Sequence, residues 1–208
     1  PNFHMEGFKL ESYLNLSKLN FNKLNSKKVS KTRSLSFVNF PFVSKDLNFL
    51  KNFVNLRKLS LNIYGDNEEN PIDLSALGEI DVAVYEGLSF LNIDFRYYPI
   101  GSQISISSLK NSNHLSRLSL MTNFMHSLVD LDILATFDKL KLICLIGWEK
   151  IELLESLLTS SSLETIYLDL NLYNQVDQSL IEKFKSKNIK ILTTDVTKEK
   201  IFAYLGIN

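Results

Sequence analysis

The chain is poor in the residues that carry covalent and metal chemistry. It has one cysteine, Cys144, in 208 residues. That excludes an internal disulfide framework and any zinc site built from clustered cysteines. The three histidines, His4, His114 and His126, include no His-x-x-x-His pair for a helical zinc site. Only 7 glycines are present, and none falls in a Gly-x-x-x-x-Gly-Lys phosphate loop, a Gly-x-Gly-x-x-Gly turn or a Gly-x-Ser-x-Gly elbow. No Asp-x-Asp-x-Asp-Gly calcium loop occurs. Lys and Arg total 23, as do Asp and Glu, so the formal net charge is zero. A balanced chain is not a whole-molecule nucleic-acid binder. No apolar run approaches the roughly 18 residues that a membrane span needs. With so little polar chemistry, an enzyme is not expected, and no cofactor or small-molecule substrate is implied.

What is abundant is leucine: 36 Leu and 17 Ile stand against only 4 Ala. The leucines recur in a phrase: apolar, two of any kind, apolar, one of any kind, apolar. The cleanest copies start at Leu56, Leu88, Leu115 and Leu163. Weaker copies centre on Leu19, Leu35, Leu140 and Ile189. With the second apolar position as anchor, the series is Leu19, Leu35, Leu59, Leu91, Leu118, Leu140, Ile166 and Ile189. The intervals are 16, 24, 32, 27, 22, 26 and 23 residues. Alternating residues such as Leu118 and Leu120 face one side of a short strand, while Arg117, Ser119 and Met121 face the other. One such strand cannot bury its apolar side alone, so parallel copies must stack.

In phrase and period the chain resembles the leucine-rich repeat family along nearly its whole length. The resemblance implies an α/β fold: a right-handed solenoid with one short parallel strand and a mostly helical return per repeat. Returns of this length are similar to those of the ribonuclease-inhibitor-like and F-box-associated subclasses. The family's Asn, five residues after the anchor, stands only at Asn123 and Asn171, so its backbone ladder must be completed otherwise. Helical spacing is read over Asp46–Phe53, Ser127–Phe137, Glu149–Leu158 and Gln178–Lys187. Met5–Leu14 reads as the helix of a truncated first unit. Thr197–Leu205 reads as a C-terminal capping helix, with Thr197 as its N-cap. The polar stretch Gly65–Pro71 reads as an exposed insertion. The expected organisation is a single repeat domain over 1–208, a fragment of something longer, with residues 1–4 set aside as a cloning remnant. One unpaired cysteine fits an intracellular protein, cytoplasmic or nuclear.

The resemblance also implies that the residues between the apolar strand positions line a concave binding face. Along that face, small polar residues give way to Met121, Ile143, Tyr167 and Leu192. Lys141 and Lys190 flank Tyr167 on the neighbouring phrases, and Phe124, Met125, Trp148 and Tyr173 leave the same strands in loops. Large apolar residues on an exposed face mark an interaction surface. Charge is uneven: residues 1–60 carry 11 basic and 3 acidic groups, and residues 61–182 carry 6 and 18. The densest basic run includes Lys23, Lys27, Lys28, Lys31 and Arg33. Three readings stand open: a protein-interaction module, such as a scaffold or the substrate-reading part of an F-box-type ligase subunit; a binder of nucleic acid or another polyanion through the basic run; or a purely structural solenoid segment. Cys144, at strand spacing from Leu140 and Leu142, is expected to be buried and inert.

Overall fold

Among the described residues, the copies of the phrase form strands that pair side by side in parallel. The protein is described by a computed structural model covering residues 8–11, 32–38, 55–64, 89–97, 101–123 and 125–194, together with Leu50 and Phe53. Eight strands form one sheet: β1 (Phe8–Glu11), β2 (Ser34–Val38), β3 (Lys58–Tyr64), β4 (Phe90–Tyr97), β6 (Arg117–Met121), β8 (Leu142–Ile146), β10 (Thr165–Asp169) and β11 (Lys190–Thr194). Their order in the sheet is their order in the chain. Three shorter strands on the returns, β5 (Gln103–Ser105), β7 (Ser127–Val129) and β9 (Lys150–Ile151), form a second parallel sheet. This is a parallel-strand solenoid of leucine-rich phrases.

The register shows which residue anchors each repeat. Phe8, Leu35, Leu59, Leu91, Leu118, Ile143, Ile166 and Ile191 are aligned across the sheet. The spacings are 27, 24, 32, 27, 25, 23 and 25 residues, more even than the phrase alone gives. Two anchors read from the sequence, Leu140 and Ile189, and the expected first helix are therefore corrected. The first strand lies at Phe8–Glu11, where a helix was expected, and Leu19 is outside the described residues. Leu140 is the first apolar residue of its phrase, buried like Leu56, Leu115 and Leu163. Ile189 belongs to a helix end: Asn188 adopts φ 61°, and the amides of Ile189 and Asn188 donate to the carbonyls of Phe184 and Lys185 at 2.9 Å each. That is the Schellman pattern, in which an apolar residue just past the turn packs back on the helix.

The returns are tighter than expected. Over Ser127–Phe137 and Glu149–Leu158, a two- or three-residue strand is followed by a 3-10 helix, Leu131–Thr136 or Leu154–Thr159. At the joint, Asp130 and Leu153 both take the left-handed conformation, φ 59° and 58°. The 3-10 form rises about 2.0 Å per residue against 1.5 Å for an α-helix, so six residues suffice to span the return. Only the last return within the described residues is α-helical as expected. There α1 (Leu170–Gln175) leads into α2 (Gln178–Ser186), and Asp177 caps α2 by accepting from the Ser179 amide at 2.6 Å. Asp46–Phe53, apart from Leu50 and Phe53, lies outside the described residues, as do Gly65–Pro71 and the expected cap at Thr197–Leu205.

One core runs between the sheet and the returns. Leu59, Leu91, Leu118, Ile143 and Ile166 from the strands meet Leu109, Leu134, Leu157 and Phe184 from the returns, all fully buried. At the leading edge of the sheet, carbonyls two residues before the anchors accept amides of the next repeat, two successive ones at five crossings and one, Lys190 to Glu164 at 2.9 Å, at the last. The Arg33 carbonyl takes Arg57 and Lys58 at 2.8 and 3.0 Å, that of Arg57 takes Ser89 and Phe90, and that of Ser89 takes Ser116 and Arg117. The Ser116 carbonyl takes Lys141 and Leu142, and that of Lys141 takes Glu164 and Thr165. The Ser89 and Ser116 hydroxyls donate to the same carbonyls.

The trailing edge shows how the missing asparagines are replaced. Asp169 accepts from the Gly147 amide at 2.7 Å and the Leu172 amide at 3.0 Å, joining two repeats and capping α1. The Trp148 indole donates to the Leu120 carbonyl at 3.0 Å. Gly147 has φ 72°, and a Cβ there would stand 2.2 Å from the Thr122 carbonyl oxygen.

Two expectations follow. Leu118→Ala, at a fully buried anchor, should cost roughly 2–5 kcal/mol in chemical denaturation; a neutral result would mean the register is wrong. Gly147→Ala should cost more than about 1 kcal/mol, since both its φ and its space exclude a Cβ, whereas Gly101→Ala, with nothing near its Cβ position, should cost less.

Candidate interaction surface

The outer face of the main sheet carries three aligned rows. The leading row holds Ser34, Lys58, Phe90, Arg117, Leu142, Thr165 and Lys190. The middle row holds Ser36, Ser60, Asn92, Ser119, Cys144, Tyr167 and Leu192. The trailing row holds Asn62, Asp94, Met121 and Ile146.

The centre of this face is closed. Asn92, Asp94, Ser119, Met121 and Cys144 are all buried. Phe90 and Cys144 form a second apolar cluster, with Leu142, Ile146 and Tyr167 packed against it. Among the polar members, Asn92 Nδ2 donates to Ser60 Oγ at 2.9 Å. The face opens toward its C-terminal end, where Tyr167 is half-buried, Leu192 is 36% exposed and Lys190 is exposed.

The candidate residues therefore separate. Met121 lies on the outer face as expected but is fully buried. Ile143 is an anchor and belongs to the inner core. Trp148 turns inward, stacked edge-on against Phe95 at 5.8 Å. None of these three offers exposed surface. Tyr167 does lie on the outer face, but its register neighbours are Cys144 and Leu192 rather than lysines. Lys190 sits diagonally from it, aligned with Thr165. Lys141 stands just before β8 at the leading edge, paired with Glu164 at 2.8 Å. Of the loop residues, Met125 is 43% exposed, Tyr173 is half-buried, and Phe124 lies outside the described residues. Of the basic run, Lys23, Lys27, Lys28 and Lys31 lie outside the described residues, and Arg33 is exposed at the leading edge.

No family model and no curated protein matches this chain. Among solved structures, an internalin from Listeria monocytogenes is similar at 17% identity with a TM-score of 0.46, over 87% of this chain. The chain spans about half of that protein's length, 54%. The repeat architecture described above rests on the strand register and not on this likeness.

Two buried groups, one on this face and one just before β7, are held in their neutral forms. Burial pushes the Cys144 thiol up to about 12; the Ser119 hydroxyl beside it favours the thiolate, and the Asp169 carboxylate opposes it. Burial also lowers His126, against an opposing pull from Glu149. Cys144 is buried as expected, but on the outer side of the sheet. Among the described residues, no three His, Cys, Asp or Glu side chains converge on a point that could hold a metal. No described helix is long and apolar enough to cross a membrane.

The thiol gives a direct test. At pH 7 a group titrating near 12 is thiolate in only about one molecule in 10⁵. Cys144 should react with an aromatic disulfide reagent at least about 100-fold more slowly in the native protein than in denaturant. Because the unfolded thiol titrates lower, near 9.0, the unfolded state sheds its proton first, and stability should decline as pH rises past 9.0. Rapid native labelling at neutral pH would show that the outer face is open at Cys144.

Proposed function

We propose that this chain is a non-enzymatic protein-interaction module that holds a partner on the C-terminal end of its outer sheet face. The observation that carries this reading is Leu192, 36% exposed in register beside half-buried Tyr167. Together they continue the apolar cluster of Phe90, Leu142, Cys144 and Ile146 out to the surface. A closed apolar centre with an open apolar end is a surface for a partner to extend. Tyr167 suits an anchor, since a tyrosine ring supplies apolar area while its hydroxyl can take part in hydrogen bonds. Lys190, exposed one diagonal away, adds a positive rim, and rim charges govern partner selection more than affinity. The roles of scaffold or substrate-reading subunit both fit such a surface. The single unpaired cysteine supports an intracellular setting.

The test uses a partner recovered with the wild-type chain, then purified and titrated. Tyr167→Ala and Leu192→Ser should each weaken binding by about 1–2 kcal/mol with little change in melting temperature. Unchanged affinity in both would place the partner elsewhere. A large loss of stability in Tyr167→Ala would mark that residue as packing.

A further inference from the structure

Segment by segment along the sequence, basic groups gather at the ends of the chain. In the fold, basic groups from several different repeats come together along one edge of the described sheet. The leading edge of the sheet presents Arg33, Arg57, Lys58, Arg117, Lys141 and Lys190, all exposed. The backbone ladder fixes these residues at only two register positions, one and two residues before each anchor. Lys139 joins them from the loop before β8, against His114 at 3.2 Å. The acids on this edge are Glu164, paired with Lys141, and Asp138. Two of the returns have the opposite sign: segments 125–136 and 149–159 carry Asp130, Asp132, Glu149, Glu152 and Glu155 against Lys150 alone, whereas 107–116 carries Lys110 and 170–189 carries Lys183, Lys185 and Lys187 against Asp177 and Glu182. Five of the seven repeats from β2 to β11 thus carry a basic residue at the leading edge, β4 (Ser89, Phe90) and β10 (Glu164, Thr165) being the exceptions, and stacking the repeats brings these residues into one stripe.

From this geometry we infer that the leading edge is a docking rail for an extended acidic polypeptide segment. The inference rests on the protein-binding reading above and names the chemistry of the partner. Among the described residues, Arg33, Arg117 and Lys190 form no ion pair, so part of the stripe's charge is uncompensated within the sheet. From β2 to β11 there are six strand steps, about 29 Å at the usual spacing of 4.7–4.9 Å. An extended segment of about nine residues covers that length at roughly 3.3 Å per residue. A single narrow row suits a polypeptide better than a nucleic acid. The two acidic returns, 125–136 and 149–159, disfavour a broad polyanion, and Phe90, the aromatic side chain in the leading row, is buried and offers no stacking platform for bases.

The experiment uses the full chain and a fluorescein-labelled peptide of about nine alternating Glu and Ser residues, read by anisotropy at about 50 mM salt, where exposed charges are weakly screened. The controls are a Gln-for-Glu peptide and an oligothymidylate of equal charge. The paired reversal of Arg117→Glu and Lys190→Glu should lower affinity at least about tenfold with an unchanged circular dichroism spectrum, while Lys150→Glu on the return side should change it less than about twofold. Binding of the Glu peptide should weaken as salt rises, and the Tyr167→Ala, Leu192→Ser chain should keep it. Failure of the peptide to bind, equal loss in Lys150→Glu, or no loss in the leading-edge pair would overturn the rail. Tighter binding of the oligothymidylate would overturn it in favour of a nucleic-acid edge. If the outer-face variants lose the captured partner while the peptide still binds, the rail and the apolar end stand as separate contacts; if the peptide fails while the partner is held through Tyr167, only the rail is lost.

Discussion

One backbone carbonyl per repeat, two residues before each anchor, ties the solenoid together. From Arg33 to Lys141 it accepts two successive amides from the next repeat, and at Glu164 one, so each of these crossings begins with its register already set. Side chains then fall into rows without further choice, since residues alternate sides along a strand. The inner rows build one core, and the outer rows build a face whose chemistry can vary. Because this tie involves only the few residues before each strand, the rest of a repeat can change length. The interval from Leu59 to Leu91 is 32 residues, yet those two residues are direct partners.

The two edges of the sheet are held by different chemistry. At the leading edge the bonds are main-chain, reinforced by the hydroxyls of Ser89, Ser116 and Ser162 on the carbonyls before them. That arrangement leaves the leading-edge side chains free to be basic. At the trailing edge the side chains do the work: Asp169 receives the Gly147 and Leu172 amides, and Trp148 caps the Leu120 carbonyl. A buried acceptor serving two amides is expensive to remove, since each amide would be left without a partner. Function therefore has more freedom at the leading edge and the open end of the outer face than at the trailing edge.

The outer face is graded from closed to open. Its centre is filled by small polar and apolar groups, Asn92, Ser119 and Cys144, flanked by Phe90 and Met121. The thiol there is chemically silent because burial disfavours its charged form. Opening begins at Tyr167 and is complete at Leu192 and Lys190. An apolar end and a basic edge meet at Lys190, which belongs to both.

The phrase and its period, read from the sequence alone, determined that strands stack in parallel, that Leu118, Leu120, Ile166 and Leu168 are core, and that α2 is a helix. These depend on local apolar spacing, which the sequence carries openly. The sequence could not say which apolar residue of a phrase is the anchor, and only cross-strand pairing decided it. Reading Ile189 for Ile191 is an even slip and left Lys190 and Leu192 on the correct face. Reading Leu140 for Ile143 is an odd slip, and it put Ile143 outside when it belongs to the core. The returns were misjudged because Leu128, Leu131 and Leu134 satisfy helical spacing equally well in a strand, a left-handed residue and a 3-10 turn. The burial of Met121 and Trp148 and the basic edge were likewise tertiary outcomes. Each depends on residues that lie a whole repeat apart in the chain and become neighbours only when the repeats stack.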